Sequence, residues 1–309
     1  MIGKVILLVA MFILVMVSLG FLYKSIPQPP VNLKVSNLNS ETPDIINYGS
    51  TPVFAENLRF NHNVISFRID SGCSSEQRTS MNEALDIFHR EMGVISFSEA
   101  DRFENADIKI SCPSNRIELG DSLFAAGEGG PSQIINTSFF KTIQEGKIFL
   151  YEPPRCDYPV VEIHELCHVF GFDHSENPDS IMYNTSRCNQ RITPDMVTLI
   201  KDLYSIEPLS ELTISEISSV KRGRYLDFNV TVMNEGLLPV ENAGISIYAD
   251  GKFSEEFYLG EINIGYARTL LASNIKLPSS KVIEVEFVVD KDNLLKEYNK
   301  KNNAVVMSV

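Results

Sequence analysis

One stretch, His164-Glu165-Leu166-Cys167-His168-Val169-Phe170-Gly171-Phe172-Asp173-His174, constrains this chain more than any other. On a helix, positions i and i+4 stand one above the other on a single face, so His164 and His168 direct two imidazoles at one point. Glu165 faces the adjacent side. Gly171 has no Cβ and can take a positive φ, so the helix stops there and the chain turns sharply. That turn brings His174 round to the same point. The chain holds only five histidines in 309 residues, and three fall at this spacing. A helix that carries them by coincidence is the bland reading; a chance match is on the order of one in a hundred thousand.

Three imidazoles leave one coordination position open, which separates a catalytic zinc from a structural one. Zinc lowers the pKa of a bound water toward about 7 and polarises a carbonyl. Glu165 is placed to take a proton from that water and return it to a leaving amine. The expected chemistry is peptide hydrolysis through one catalytic Zn2+, without a covalent intermediate. The whole stretch resembles the extended zinc motif of metzincin metallopeptidases, and Ser175 directly after the third histidine resembles the matrixin branch. Asp179-Ser180-Ile181-Met182-Tyr183 resembles the Met-turn of that superfamily. The resemblance implies that Met182 underlies the metal without ligating it; alone, it would read as a core methionine. It also implies that Tyr183 and Asn184 begin the wall of the pocket for the residue after the scissile bond. The matrixin pattern has proline where this chain has Asn184.

By the same resemblance, residues 57–205 form an α+β catalytic domain: a five-stranded mixed sheet, about three helices and a cleft along the sheet edge. The Phe124–Gly130 region would offer backbone groups to an extended substrate by strand addition. Matrixins also carry a structural zinc, but the remaining histidines, His62 and His89, lack ligand spacing and read as ordinary surface or core residues. Pro154-Arg155-Cys156 mimics an inhibitory cysteine motif, yet it lies within the catalytic domain and reads as a decoy. Asp121 and Glu128 are candidate calcium ligands, a scattered pair.

The rest of the chain divides by composition. Val5 to Tyr23 is an uncharged apolar run between Lys4 and Lys24. Its length suits a transmembrane helix, which needs about 20 residues, so residues 1–24 read as a signal anchor. The alternative is a cleaved signal peptide and a secreted product. Residues 25–56, rich in Pro, Asn and Ser, read as a stalk or linker. Short strands are expected at 64–70, 94–98, 106–111 and 147–151, helices at 76–92, from about Val160, and from Thr193 as N-cap, and a loop at 113–136. Residues 206–211 read as a second linker. From Leu212 to Val309 short runs alternate apolar and polar (LTISEI, YLDFNVTV, AGISIYAD, KVIEVEFVV, NAVVMSV), the pattern of an all-β sandwich. This segment resembles CARDB-type immunoglobulin-like modules, through Val232-Met233-Asn234-Glu235-Gly236, Tyr248-Ala249-Asp250-Gly251 and the Glu297–Asn303 ending. It would act as a spacer or bind a partner on the surface or cell envelope.

Five cysteines fit an oxidising compartment. Cys73 and Cys112 each follow an expected strand and could be bridged if those strands are parallel neighbours. Cys156 and Cys188 bracket the histidine motif, and Cys167 is left over on an apolar helical face. A formal net charge of -13 argues against nucleic acid as a partner. Protein or peptide substrates outside the membrane are the expected partners. The rival reading is a surface adhesion or binding protein whose zinc domain is non-catalytic.

Overall fold

The computed structural model describes residues 11–20, 30–37, 51–114, 118–120, 123–151 and 156–308. Residues 11–20 form a helix, α1, with every side chain exposed. Among the described residues no helix is long and apolar enough to cross a membrane. The expected transmembrane helix is therefore not shown; the remainder of the apolar run, 5–10 and 21–23, lies outside the described residues. Two short strands follow, β1 (Val31–Asn32) and β2 (Lys34–Asn37), whose partners come from the far end of the chain.

The next unit runs β3 (Leu58–Arg59), β4 (Val64–Ile69), α2 (Ser75–Met92), β5 (Ser96–Glu99), β6 (Ile108–Ser111), β7 (Glu118–Gly120), β8 (Leu123–Phe124), β9 (Gly127–Asn136), β10 (Lys141–Leu150), α3 (Val160–Val169) and α4 (Pro194–Ser205). Its mixed sheet has the order β3-β10-β6-β4-β5, with β9 antiparallel on the other side of β10. The sheet holds six strands where five were expected. The added β3 spans two residues, too short to show any period. β9 also corrects the loop reading of residues 113–136. Its glycines hide the alternation of a strand, but its backbone pairs with β10 along nearly its whole length.

α2 begins in a capping box: the Gln77 N–H donates to the Ser74 hydroxyl and the Ser74 N–H to the Gln77 side chain. It ends at Gly93, whose φ of 70° is costly for other residues. Met81, Ala84, Leu85, Phe88 and Met92 recur at helical spacing and are buried. Phe88 stacks on Phe170 at 4.8 Å, tying α2 to the end of α3. β4 and β6 are parallel neighbours, and a Cys73–Cys112 disulfide joins the segments that follow them. A second disulfide, Cys156–Cys188, ties the approach to α3 to the chain before α4.

The last unit is a sandwich of β11 (Leu212–Arg222), β12 (Tyr225–Asn234), β13 (Val240–Ala249), β14 (Lys252–Ile262), β15 (Ala267–Lys276), β16 (Glu284–Val289) and β17 (Ala304–Ser308). Its sheets have the orders β1-β11-β12-β15 and β14-β13-β16-β17-β2. Inward residues such as Val230, Ile245, Ile247 and Phe287 are fully buried between them. β14 and β15 fall outside the expected runs because both are edge strands, mostly exposed and without clean alternation.

The segment read as a 25–56 linker is corrected at both ends. β1 pairs with β11 and β2 with β17, so this short stretch bridges both sheets of the sandwich. Leu33, between them, is buried in the sandwich core, and its N–H donates to the Ser219 carbonyl. At the other end the Thr51 hydroxyl donates to Asp195, and the Phe54 N–H to the Gly171 carbonyl. Nor is the 206–211 connection free. The Arg59 guanidinium bonds the Leu203 and Ile206 carbonyls, and the Tyr298 hydroxyl caps the Glu207 carbonyl and the Leu209 N–H.

Candidate metal centre

α3 is buried on nearly every side, because it lies between the sheet and α2. Burial is what makes its polar residues informative. His164 and Glu165 are buried, His168 is half-buried, and His174 is exposed. After α3, Gly171 takes a φ of 95° and the chain doubles back. A Cβ there would lie 3.0 Å from Leu58, so the turn needs glycine for space as well as for backbone angle.

The turn brings one ligand atom from each of His164, His168 and His174 within 4.8 Å of the others, the one such group of three among the described residues. Two of the rings are held by backbone carbonyls. The Nδ1–H of His164 donates to Ile181 at 2.6 Å, and that of His168 to Phe172 at 2.8 Å. A carbonyl only accepts, so each Nδ1 carries the proton and each Nε2 a lone pair. Those two Nε2 atoms stand 3.0 Å apart. Two facing lone pairs at that distance repel unless an electrophile joins them, and a third imidazole lies alongside. Burial, then the neighbouring His168, lowers the His164 pKa to about 4, which keeps the ring neutral and able to ligate. The donor set therefore fits a zinc ion.

Glu165 lies between α3 and the edge strand β9. Burial, aided by the Glu128 charge, pushes its carboxyl up to about 8, and a hydrogen bond from Gly129 opposes that rise. Met182 is buried in the core that includes α3. The loop around it serves the centre twice: Ile181 holds His164, and the Met182 carbonyl accepts the N–H of Ser175 just past His174. Tyr183 is half-buried, with the Arg187 guanidinium 5.4 Å from its ring centre, and Asn184 is exposed. A cavity of about 650 Å³ borders His174 and Met182, reaching Thr51 and Asp195; Tyr183 and Asn184 do not line it.

Other candidates go elsewhere. His62 bonds Asn61 and Asp107, and His89 bonds the Ile95 carbonyl. Asp121, Pro154 and Arg155 lie outside the described residues, and Glu128 is exposed on β9. Cys167 is a buried free thiol. Sequence reasoning missed the carbonyls of Ile181 and Phe172, and it missed Gly127 and Gly129, which face Glu165. For the glycines a signal existed: alternate Gly positions on a strand mark a close backbone approach.

Residues 59–205 match the matrixin family model, and residues 209–307 match CARDB. Over 193 residues the chain is 28% identical to stromelysin-2 of Rattus norvegicus, a span of 58% of this chain and 39% of that protein. The chain thus covers well under half the length of that relative. A solved structure of high choriolytic enzyme 1, a hatching enzyme zinc-protease from Oryzias latipes, is 16% identical with a TM-score of 0.30, covering 47% of this chain and 90% of the other. The CARDB domain of a Pyrococcus furiosus protein, solved with di-metal ions, is 18% identical with a TM-score of 0.28, covering 32% of this chain and 87% of the other.

Proposed function

We propose, from the match of residues 59–205 to the matrixin family model and of residues 209–307 to CARDB, that the chain is a zinc-dependent endopeptidase acting on extracellular proteins or peptides. The family supports a zinc metallopeptidase in general; the roles below are our assignment. The observation that carries it is the convergence of three imidazoles beside the buried Glu165.

His164, His168 and His174 hold the metal. Zinc, when bound through three protein ligands, supplies Lewis acidity and an activated water. Glu165 accepts the proton of the attacking water and later delivers it to the leaving amine. Among the described residues β9 pairs with β10 alone, and an extended peptide would add to its outer edge as a further strand. Met182 and its loop support the His164 ring from below, and Met182, in place of Tyr183 and Asn184, borders the cavity beside His174.

Two disulfides support a location outside the reducing cytosol. We assign the apolar run Val5–Tyr23 as the membrane anchor. In its described part even Leu14 is 72% exposed, and the only hydroxyl, that of Ser18, is satisfied by the Val15 carbonyl. Such a helix suits lipid better than water. The sandwich is assigned as a spacer or surface-binding module.

The test uses purified protein and casein. Wild type should cleave it, lose activity to a chelator and regain it with zinc. Glu165→Ala should keep its zinc and lose activity by about 100-fold or more. If zinc-replete wild type and Glu165→Ala are equally inert across a broad peptide library, the adhesion reading replaces this one.

A further inference from the structure

The edge strand beside the centre has glycine at three of four positions, Gly127-Glu128-Gly129-Gly130. Glycine weakens a strand interior, so this run calls for a local reason. Residues 127 and 129 share one face of β9, since strand side chains alternate. That face meets α3. A Cβ on Gly129 would lie 2.2 Å from the Glu165 carbonyl oxygen and 2.8 Å from its Cα. A Cβ on Gly127 would lie 2.7 Å from Glu165 Cγ, 2.9 Å from Oε1 and 3.0 Å from Cδ. At Gly130 a Cβ would meet nothing within 4 Å. The two glycines differ in what they face: Gly129 abuts the helix backbone, whereas Gly127 abuts the carboxylate itself.

We infer that Gly127 is a positioning residue, and that its bare hydrogen face sets where the Glu165 carboxylate stands. The space around that carboxylate is closed on one side by the Gly127 backbone, while Gly129 packs directly against the backbone of Glu165. A methyl group at residue 127 forces the carboxylate to turn away. The backbone of Gly129 keeps the strand close enough for this contact to matter. This inference rests on the proton-transfer role of Glu165 proposed above.

The test is a cycle of Gly127→Ala, Glu165→Ala and the double variant, with zinc content, unfolding midpoint, kcat and KM read on each. Gly127→Ala should retain one zinc per chain and a KM within about twofold. Its kcat should fall by about 100-fold, the scale of a 1 Å misplacement at a reacting group. Glu165→Ala removes the atoms the methyl would strike. Any fall in midpoint caused by Gly127→Ala should therefore be relieved in the double variant, even where the single variant folds poorly. A wild-type kcat for Gly127→Ala, a loss that falls on KM alone, or a double variant as destabilised as the single one would each overturn the inference. Glu165→Ala with full activity would instead overturn the proposed function, and the stability cycle would still report on the contact.

Discussion

Each of two imidazoles has its proton committed to a backbone carbonyl, which turns both Nε2 lone pairs onto one point. Such preset tautomers raise ligand basicity and cost no reorganisation when metal enters. His174 differs: it is exposed, and its backbone N–H donates to the Asp173 side chain. His174→Ala should therefore leave the fold and the His164–His168 pair intact while the variant loses zinc on dialysis against a mild chelator. Metal analysis beside wild type checks this, and full zinc retention by the variant would contradict it. The convergence of the three histidines was legible from spacing, because helical geometry and one glycine turn bring their rings together. The Ile181 and Phe172 carbonyls were not legible, since any residue type can present a backbone oxygen.

At the scale of elements, the centre depends on β9 staying against β10 and α3. Glu145 on β10 gathers Lys109 of β6, Lys147 of β10 itself and Ser132 of β9. The Lys109 hydrogen bond, then that of Ser132, lowers the Glu145 pKa to about 2. A carboxyl depressed on folding adds stability above its unfolded pKa and loses it as pH falls through the folded value. Wild type should thus lose more stability than Glu145→Gln between about pH 5 and pH 2. Denaturant midpoints across that range check it; parallel curves for the two proteins would refute it. β9 itself was hidden, because Gly127, Gly129 and Gly130 remove the side-chain alternation by which a strand is recognised. α2 was plain, because its five apolar positions keep helical spacing without interruption.

For the whole molecule, the route of the chain is the main finding beyond the domain order. It enters the sandwich at β1 and β2, leaves to build the catalytic unit, and returns at β11. The family match for the sandwich begins at residue 209 and so omits these first strands. Nothing in residues 31–37 announced them, because strands of two and four residues show no period and their partners lie about 190 to 270 residues away. Contacts between the units are likewise non-local: Phe140 meets Tyr298 at 5.5 Å, and Ser138 bonds Glu235. Leu33→Ala should destabilise the sandwich by about 2–5 kcal/mol, the usual range for a buried leucine. Calorimetry should show a lowered transition while zinc content stays at wild-type level. An unchanged thermogram would show that this segment does not hold the sandwich.

The proposed chemistry depends first on how the metal is coordinated. X-ray absorption at the zinc edge, on purified wild type, should show three imidazole nitrogens at about 2.0–2.1 Å and one exchangeable oxygen. A sulfur near about 2.3 Å, a fourth protein nitrogen, or a protein that holds no zinc would contradict it.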